Sequence, residues 1–86
     1  MNNFRIVVIQ SGWVLAGEYS IAQGVVTLKN STVIQKWGTT KGLGELALSG
    51  PTSESVIHPC GTAEIPASAV LYTLEVNPKI ATKWPN

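Results

Sequence analysis

The chain has 86 residues, 44% of them apolar and 13% charged, with a formal net charge of +1. This length accommodates one domain, and the sequence holds no aspartate, one histidine and one cysteine, which excludes disulfide frameworks and four-ligand zinc sites. The six basic residues form no dense run, so the charge footprint of a DNA-binding protein is also excluded.

The low charge content predicts self-association. Charged residues are about half as frequent as the ~25% that is usual for soluble domains. A domain of this size also removes only ~60 to 65% of its unfolded surface from water. We therefore expect a homo-oligomer, either a dimer or a tetramer. The sequence shows neither an apolar run of ~18 residues nor a signal-peptide pattern, so we expect no membrane association and a cytoplasmic location.

The first half of the chain is predicted to form four strands. Val, Ile and Thr make up 24 residues, and their Cβ branching favours strands over helices. Glycine, serine and asparagine between apolar stretches mark turns at Ser11-Gly12, Ala22–Gly24 and Asn30-Ser31. The predicted strands are Phe4–Gln10, Trp13–Ser20, Val25–Lys29 and Thr32–Trp37.

In the second half of the chain, the spacing of apolar residues changes once to that of a helix and then returns to that of strands. Apolar residues at helical spacing predict a helix over Lys41–Leu48, with Thr39 or Thr40 as N-cap and Gly50-Pro51 as the stop. The strands predicted after it are Val56–His58, Thr62–Ile65 and Ala69–Val76. Together these elements indicate an all-β fold with one short helix: a small SH3-like, partly open barrel of about 6–7 short strands over residues 1–76. Residues 77–86 are predicted to be a C-terminal tail.

The segment between the fourth strand and the helix is the best candidate for a ligand site. The N-terminus of a helix presents unpaired N–H groups and a positive dipole end, and a lysine beside it adds a full charge. A phosphate would bind there, and a tryptophan would stack on a base. The spacing is not that of a Walker loop, so nucleotide hydrolysis is not implied. The candidate ligand-binding residues in this segment are Trp37, Gly38, Thr39, Thr40, Lys41 and Gly42. In the alternative interpretation the threonines only cap the helix and Trp37 fills the core.

Three further residues are candidates for the same ligand. Lys36 and Arg5 would add positive charge from a neighbouring subunit, and Trp13 could be a core residue, an interface anchor or a stacking platform. His58 and Cys60 lie too close in sequence, around a stiff proline, to be expected to act as a base and a thiol. We therefore expect no catalytic residues, no metal and no cofactor.

The sequence also resembles a known group of proteins. The pattern Trp37-x5-Leu43-x2-Leu46-Ala47-x2-Gly50, preceded by Gly12-x4-Gly17, resembles a widespread group of small tailed-phage proteins of unannotated domain type. The resemblance covers roughly residues 5–76. That group commonly has two aromatic residues at the end of the strand, whereas this chain has only Trp37, preceded by Gln35 and Lys36.

Small phage proteins of this kind are similar to viral sponge proteins that sequester the cyclic nucleotide signals of host CBASS immunity. The resemblance implies an oligomer in the host bacterial cytoplasm that binds a cyclic dinucleotide such as cGAMP without cleaving it. An alternative class is a phage protein-interaction module that binds a host defence enzyme or a virion component through Trp13, Trp84 and an apolar surface.

If the segment after Lys36 contacts the nucleotide, we expect Lys41→Ala and Trp37→Ala each to weaken binding by ~1 to 3 kcal/mol, the range for charged hydrogen bonds and base stacking. Isothermal titration calorimetry with cyclic dinucleotides checks this. Unchanged affinity in correctly folded variants would remove both residues from the site.

Overall fold

The computed structural model of the protein describes residues 3–36 and 42–84. Five strands dominate it: β1 (Phe4–Ile9), β2 (Val14–Ala22), β3 (Val25–Lys36), β4 (Val56–Pro66) and β5 (Val70–Glu75). Helix α1 (Leu43–Ser49) lies between β3 and β4, and a shorter helix α2 (Pro78–Ala81) follows β5. Single 3-10 turns, Gln10–Gly12 and Ala67–Ala69, precede β2 and β5.

All strands belong to one antiparallel sheet in the order β4-β3-β2-β1-β5. The first four strands form a meander, and β5 returns to pair with β1 on its other side. The two outermost strands do not pair with each other in the described residues, so the sheet is open. The predicted fold class, a small and partly open all-β domain with one short helix, is confirmed.

The sheet has fewer and longer strands than the sequence predicts. Asn30-Ser31, which is predicted as a turn, and Cys60-Gly61, which lies between two predicted strands, are bulges inside continuous strands. Asn30 (φ 51°) and Gly61 (φ 72°) adopt the left-handed backbone typical of turns. Each bulge adds one residue against its partner strand, so the chain bends without reversing.

The bulges lie side by side and form a line that we call the bend row: Gly17 on β2, Asn30 and Ser31 on β3, and Cys60 and Gly61 on β4. The buried Ser31 hydroxyl donates to the carbonyl of Gly61 and lies 2.9 Å from Sγ of Cys60. Asn30 Nδ2 donates to a carboxylate oxygen of Glu18 at 2.8 Å. Side chains thus hold both bulges.

The bend row lets one sheet enclose two apolar cores. Along β1, Phe4 and Ile6 pack into the first core and Val7 into the second, which follows the alternation of a flat strand. On β3, however, Leu28 lies in the second core and Ile34 in the first. Strict alternation would put both on one face, so the extra residue at the bulge moves the later part of β3 to the other core.

Helix α1 covers the first core with Leu43, Leu46 and Ala47. Its N-cap is Gly42, which makes no side-chain cap hydrogen bond, so the prediction of a threonine cap at Thr39 or Thr40 is wrong. The predicted stop is confirmed: Gly50 ends the helix at φ 85° and donates its N–H to the carbonyl of Leu46.

Residues 77–84 also pack on the first core. Asn77 caps α2 by accepting from the N–H of Lys79, and its own N–H donates to the carbonyl of Ala47. Trp84 is buried, with 7% of its surface exposed, and its ring centroid lies 5.4 Å from that of Phe4. Its indole N–H donates to Oγ1 of the fully buried Thr32 at 2.9 Å. The expectation that Trp84 docks on a partner is therefore corrected, because its polar and apolar parts are both satisfied within the chain.

We expect Gly17→Ala to destabilise the protein by ~1 to 3 kcal/mol, the usual cost of overpacking. A Cβ at this position would lie 3.0 Å from the carbonyl oxygen of Lys29 and 3.1 Å from Cα of Ser31, both part of the backbone. The control is Gly44→Ala, an exposed helical position with nothing within 4 Å of the new Cβ, which should stabilise α1. Urea unfolding followed by circular dichroism measures both. Equal effects of the two variants would contradict close packing at the bend row.

Thr32→Val should lower the free energy of unfolding by ~1 to 3 kcal/mol, because it leaves the buried indole N–H of Trp84 without an acceptor. Thr32→Ser keeps the hydroxyl and is the control, with a loss of about 1 kcal/mol for the missing methyl group. In the Trp84→Phe background, Thr32→Val should cost clearly less, which a double-mutant cycle on the free energy of unfolding detects. Additive losses would show that the hydrogen bond contributes nothing.

Candidate functional site

An open groove with a volume of about 650 Å³ lies at the end of the sheet where the chain passes from β1 to β2. One wall is the Gly12–Val14 segment, and the other consists of the adjacent ends of β3 and β4. Its lining residues are Gly12, Trp13, Val14, Val33, Ile34, Gln35 and His58. A groove of this size accommodates a small molecule or a short peptide.

Trp13 dominates this groove, and local backbone geometry places it there. The 3-10 turn ends at Gly12, whose φ of 87° favours glycine, and the next residue begins the return into β2. The Ile9 N–H donates to the carbonyl of Trp13 at 3.0 Å, which fixes the backbone of the tryptophan against β1. The side chain is 57% exposed, so an aromatic face is open to a ligand.

Opposite the tryptophan, Gln35 and His58 form a polar pair across β3 and β4. His58 Nε2 lies 2.9 Å from the amide oxygen Oε1 of Gln35. An amide oxygen only accepts, so Nε2 donates and Nδ1 of a neutral ring is left as an acceptor. The Gln35 amide group keeps two N–H donors. The groove therefore combines a flat aromatic surface with donors and an acceptor, an arrangement that suits a heteroaromatic ring.

Most of the predicted phosphate-binding segment lies outside the described residues: Trp37, Gly38, Thr39, Thr40 and Lys41. Gly42 is described, and it is the N-cap of α1 with φ 84°. The helix that follows has only seven residues, so its dipole is weak. The described part of this segment does not by itself make an anion site.

The remaining predicted residues are not all brought together. Lys36 is exposed at the end of β3, directly after Gln35 of the groove. Arg5 lies opposite Gly17, whereas Trp13 is level with Ile9, four residues further along β1. At ~3.3 Å per residue this separates them by about 13 Å along the strands.

Arg5 has its own set of contacts, away from the groove. Its Nε donates to Oδ1 of Asn3 at 3.0 Å, and Nη1 donates to Oγ1 of Thr73 at 3.3 Å. Its guanidinium carbon lies 5.6 Å from the centre of the Tyr19 ring, within the range of a cation–π contact. Within one chain, Arg5 therefore connects β1, β2 and β5.

His58 and Cys60 do not form a reactive pair. The imidazole is bonded to Gln35, whereas the exposed thiol of Cys60 contacts the Ser31 hydroxyl. No group of three or more metal-binding side chains occurs among the described residues. Over the same residues, no helix has the length and apolar character needed to span a membrane.

Sequence reasoning considered Trp13 but missed Gln35 and His58 as its neighbours. They are 23 residues apart and face each other only because β3 and β4 are adjacent. Register across two bulges decides which residues meet, and no local pattern in the sequence reports it.

A comparison of the sequence with models of known protein families finds no match. A comparison with curated proteins also gives no significant match.

Proposed function

We propose that the protein binds a nucleotide without cleaving it, and that the base of this ligand stacks on Trp13 in the groove. The observation that carries the proposal is the exposed indole of Trp13 opposite the Gln35–His58 pair. Stacking on an aromatic side chain contributes ~1 to 3 kcal/mol per base and tolerates different bases. Hydrogen bonds from Gln35 and His58 would then select among them.

The phosphates of such a ligand need positive charge, and the described residues that line the groove include no lysine or arginine. Lys36 follows Gln35 directly and lies at the same end of β3. The segment that continues from it contains Lys41 and two threonines. We propose that the base lies in the groove while the phosphates extend towards this segment.

The class of nucleotide and the biological setting rest on the resemblance to phage proteins. They extend the proposal to a phage-encoded homo-oligomer that sequesters a cyclic dinucleotide such as cGAMP and so blocks CBASS-type signalling. Sequestration requires binding and no chemistry. The separate hydrogen-bond partners of His58 and Cys60 are compatible with such a role.

A second candidate function is a protein-interaction module with Trp13 as its anchor. Exposed tryptophans are frequent binding hot spots, and Leu48, Leu71 and Tyr72 are also more than half exposed. This candidate predicts tight binding of a protein and no binding of nucleotides. The phage setting suggests a host defence enzyme or a virion component as the partner.

A thermal-shift panel separates the two candidates. The purified protein is heated with cyclic dinucleotides, cyclic trinucleotides, mononucleotides and ADP-ribose-type signals, and bound ligand is recovered after denaturation for chromatography. We expect one of the cyclic nucleotides to raise Tm and to be recovered intact. A flat panel would overturn the nucleotide proposal and favour a protein partner. Recovery of a cleaved nucleotide would contradict binding without catalysis.

Trp13→Ala should weaken binding of the nucleotide found in the panel by ~1 to 3 kcal/mol through loss of stacking, and Trp13→Phe should restore part of it. Leu48→Ala removes an apolar side chain that is also more than half exposed but lies outside the groove, and it should leave affinity unchanged. Calorimetric titration measures all three variants. If Leu48→Ala weakens binding as much as Trp13→Ala, the ligand does not occupy the groove.

A further inference from the structure

The open sheet has two edge strands, and they differ in character. The outer strand β4 contains Pro59 and Pro66 and is bent at the Cys60-Gly61 bulge. A proline has no N–H to offer to another strand, and a bulge interrupts the regular spacing of hydrogen-bonding groups. These are the features with which natural proteins protect sheet edges against pairing with a further chain.

Strand β5, at the other edge, has none of this protection over its last four residues. Tyr72, Thr73, Leu74 and Glu75 follow β1 in regular register, and the irregularity in that pairing lies before them, at Leu71. The segment has no proline and no lysine, and Glu75 is its only charged residue. Leu71 and Tyr72 are 60% and 51% exposed. The strand therefore presents a regular edge with apolar side chains beside it.

The register also indicates which backbone groups point outward. The Val76 N–H donates to the carbonyl of Phe4, so Val76 faces β1. The backbone N–H and C=O groups of successive residues in an antiparallel strand point to alternate sides. Those of Leu74 and Tyr72 therefore also point towards β1, and those of Thr73 and Glu75 point away from it. Among the described residues, no strand lies on this outer side of β5.

We propose that the protein forms a symmetric dimer in which β5 pairs antiparallel with β5 of a second copy. Leu74 lies opposite Leu74 of the second copy, and the outward N–H and C=O groups of Thr73 pair with those of its Glu75. This register places no carboxylate opposite another and covers part of each Tyr72. On β4 the uninterrupted part of the edge is limited to the residues between the Cys60-Gly61 bulge and Pro66, whereas a second β5 edge carries no bulge and no proline over these four residues, which is why a like edge is the occupant.

The proposed contact is small, and this sets its strength. A stable interface buries about 800 Å² per partner, roughly a sixth of the 5204 Å² surface of the chain. Four paired residues and two exposed side chains bury less than that. The dimer is therefore reversible and depends on concentration. The contact involves none of the residues that line the Trp13 groove. The dimer and nucleotide binding are therefore tested independently of each other.

Sedimentation equilibrium over a range of concentrations tests the dimer. We expect the average mass of the wild-type protein to rise from 9.2 kDa towards twice that value. Glu75→Pro removes one outward N–H without touching the bonds to β1, a position where an edge strand tolerates proline. This variant should remain at the monomer mass. Glu75→Thr keeps the N–H and is the matched control, which should dimerise like the wild type.

A monomer mass at every concentration of the wild type would overturn the proposal, as would a dimer of Glu75→Pro. Hydrogen exchange decides the matter if the proline variant does not fold. The amides of Thr73 and Glu75 in the wild type should exchange more slowly as concentration rises. Equal exchange of these amides at low and high concentration would refute pairing at this edge.

Discussion

The fold depends on the bend row, where β3 and β4 each carry an extra residue at the same level of the sheet. Strict alternation over the 12 residues of β3 would give a flat hairpin with one set of side chains on each face. The bulges instead divide the long hairpin between two cores. One pair of strands thus contributes apolar side chains to both cores of a chain of only 86 residues.

This bend has steric and polar requirements that particular residues meet. Gly17 leaves room for the backbone of Ser31, and the Ser31 hydroxyl bonds across to β4. The residue after it, Thr32, turns into the first core and accepts the indole N–H of Trp84. Strand geometry in the middle of the sheet thus determines where the end of the described chain packs. Every buried side-chain nitrogen and oxygen among the described residues has a hydrogen-bond partner, as a small core requires.

The same residues explain how far the sequence was informative. Apolar alternation and the helical period of Leu43, Leu46 and Ala47 identified the strands and α1, because these patterns are local. The sequence predicts a turn at Asn30-Ser31, and Asn30 and Gly61 do have left-handed backbones, but a left-handed residue occurs in either a turn or a bulge. Only pairing with a third strand decides between them. The Gln35–His58 contact was unpredictable for the same reason, since it follows from the register after both bulges.

The groove and the β5 edge both lie at the margins of the sheet. Trp13 directly follows a 3-10 turn and is level with Ile9, the last residue of β1, and its side chain is more than half exposed. Tyr72 lies on the last strand of the sheet, where the neighbour on one side is missing among the described residues. In a chain with few charged residues, large exposed side chains at such positions offer apolar surface to a binding partner. Because one surface is a concave groove and the other a strand edge, they suit different partners, a flat ring and a second backbone, and the two can be occupied at the same time.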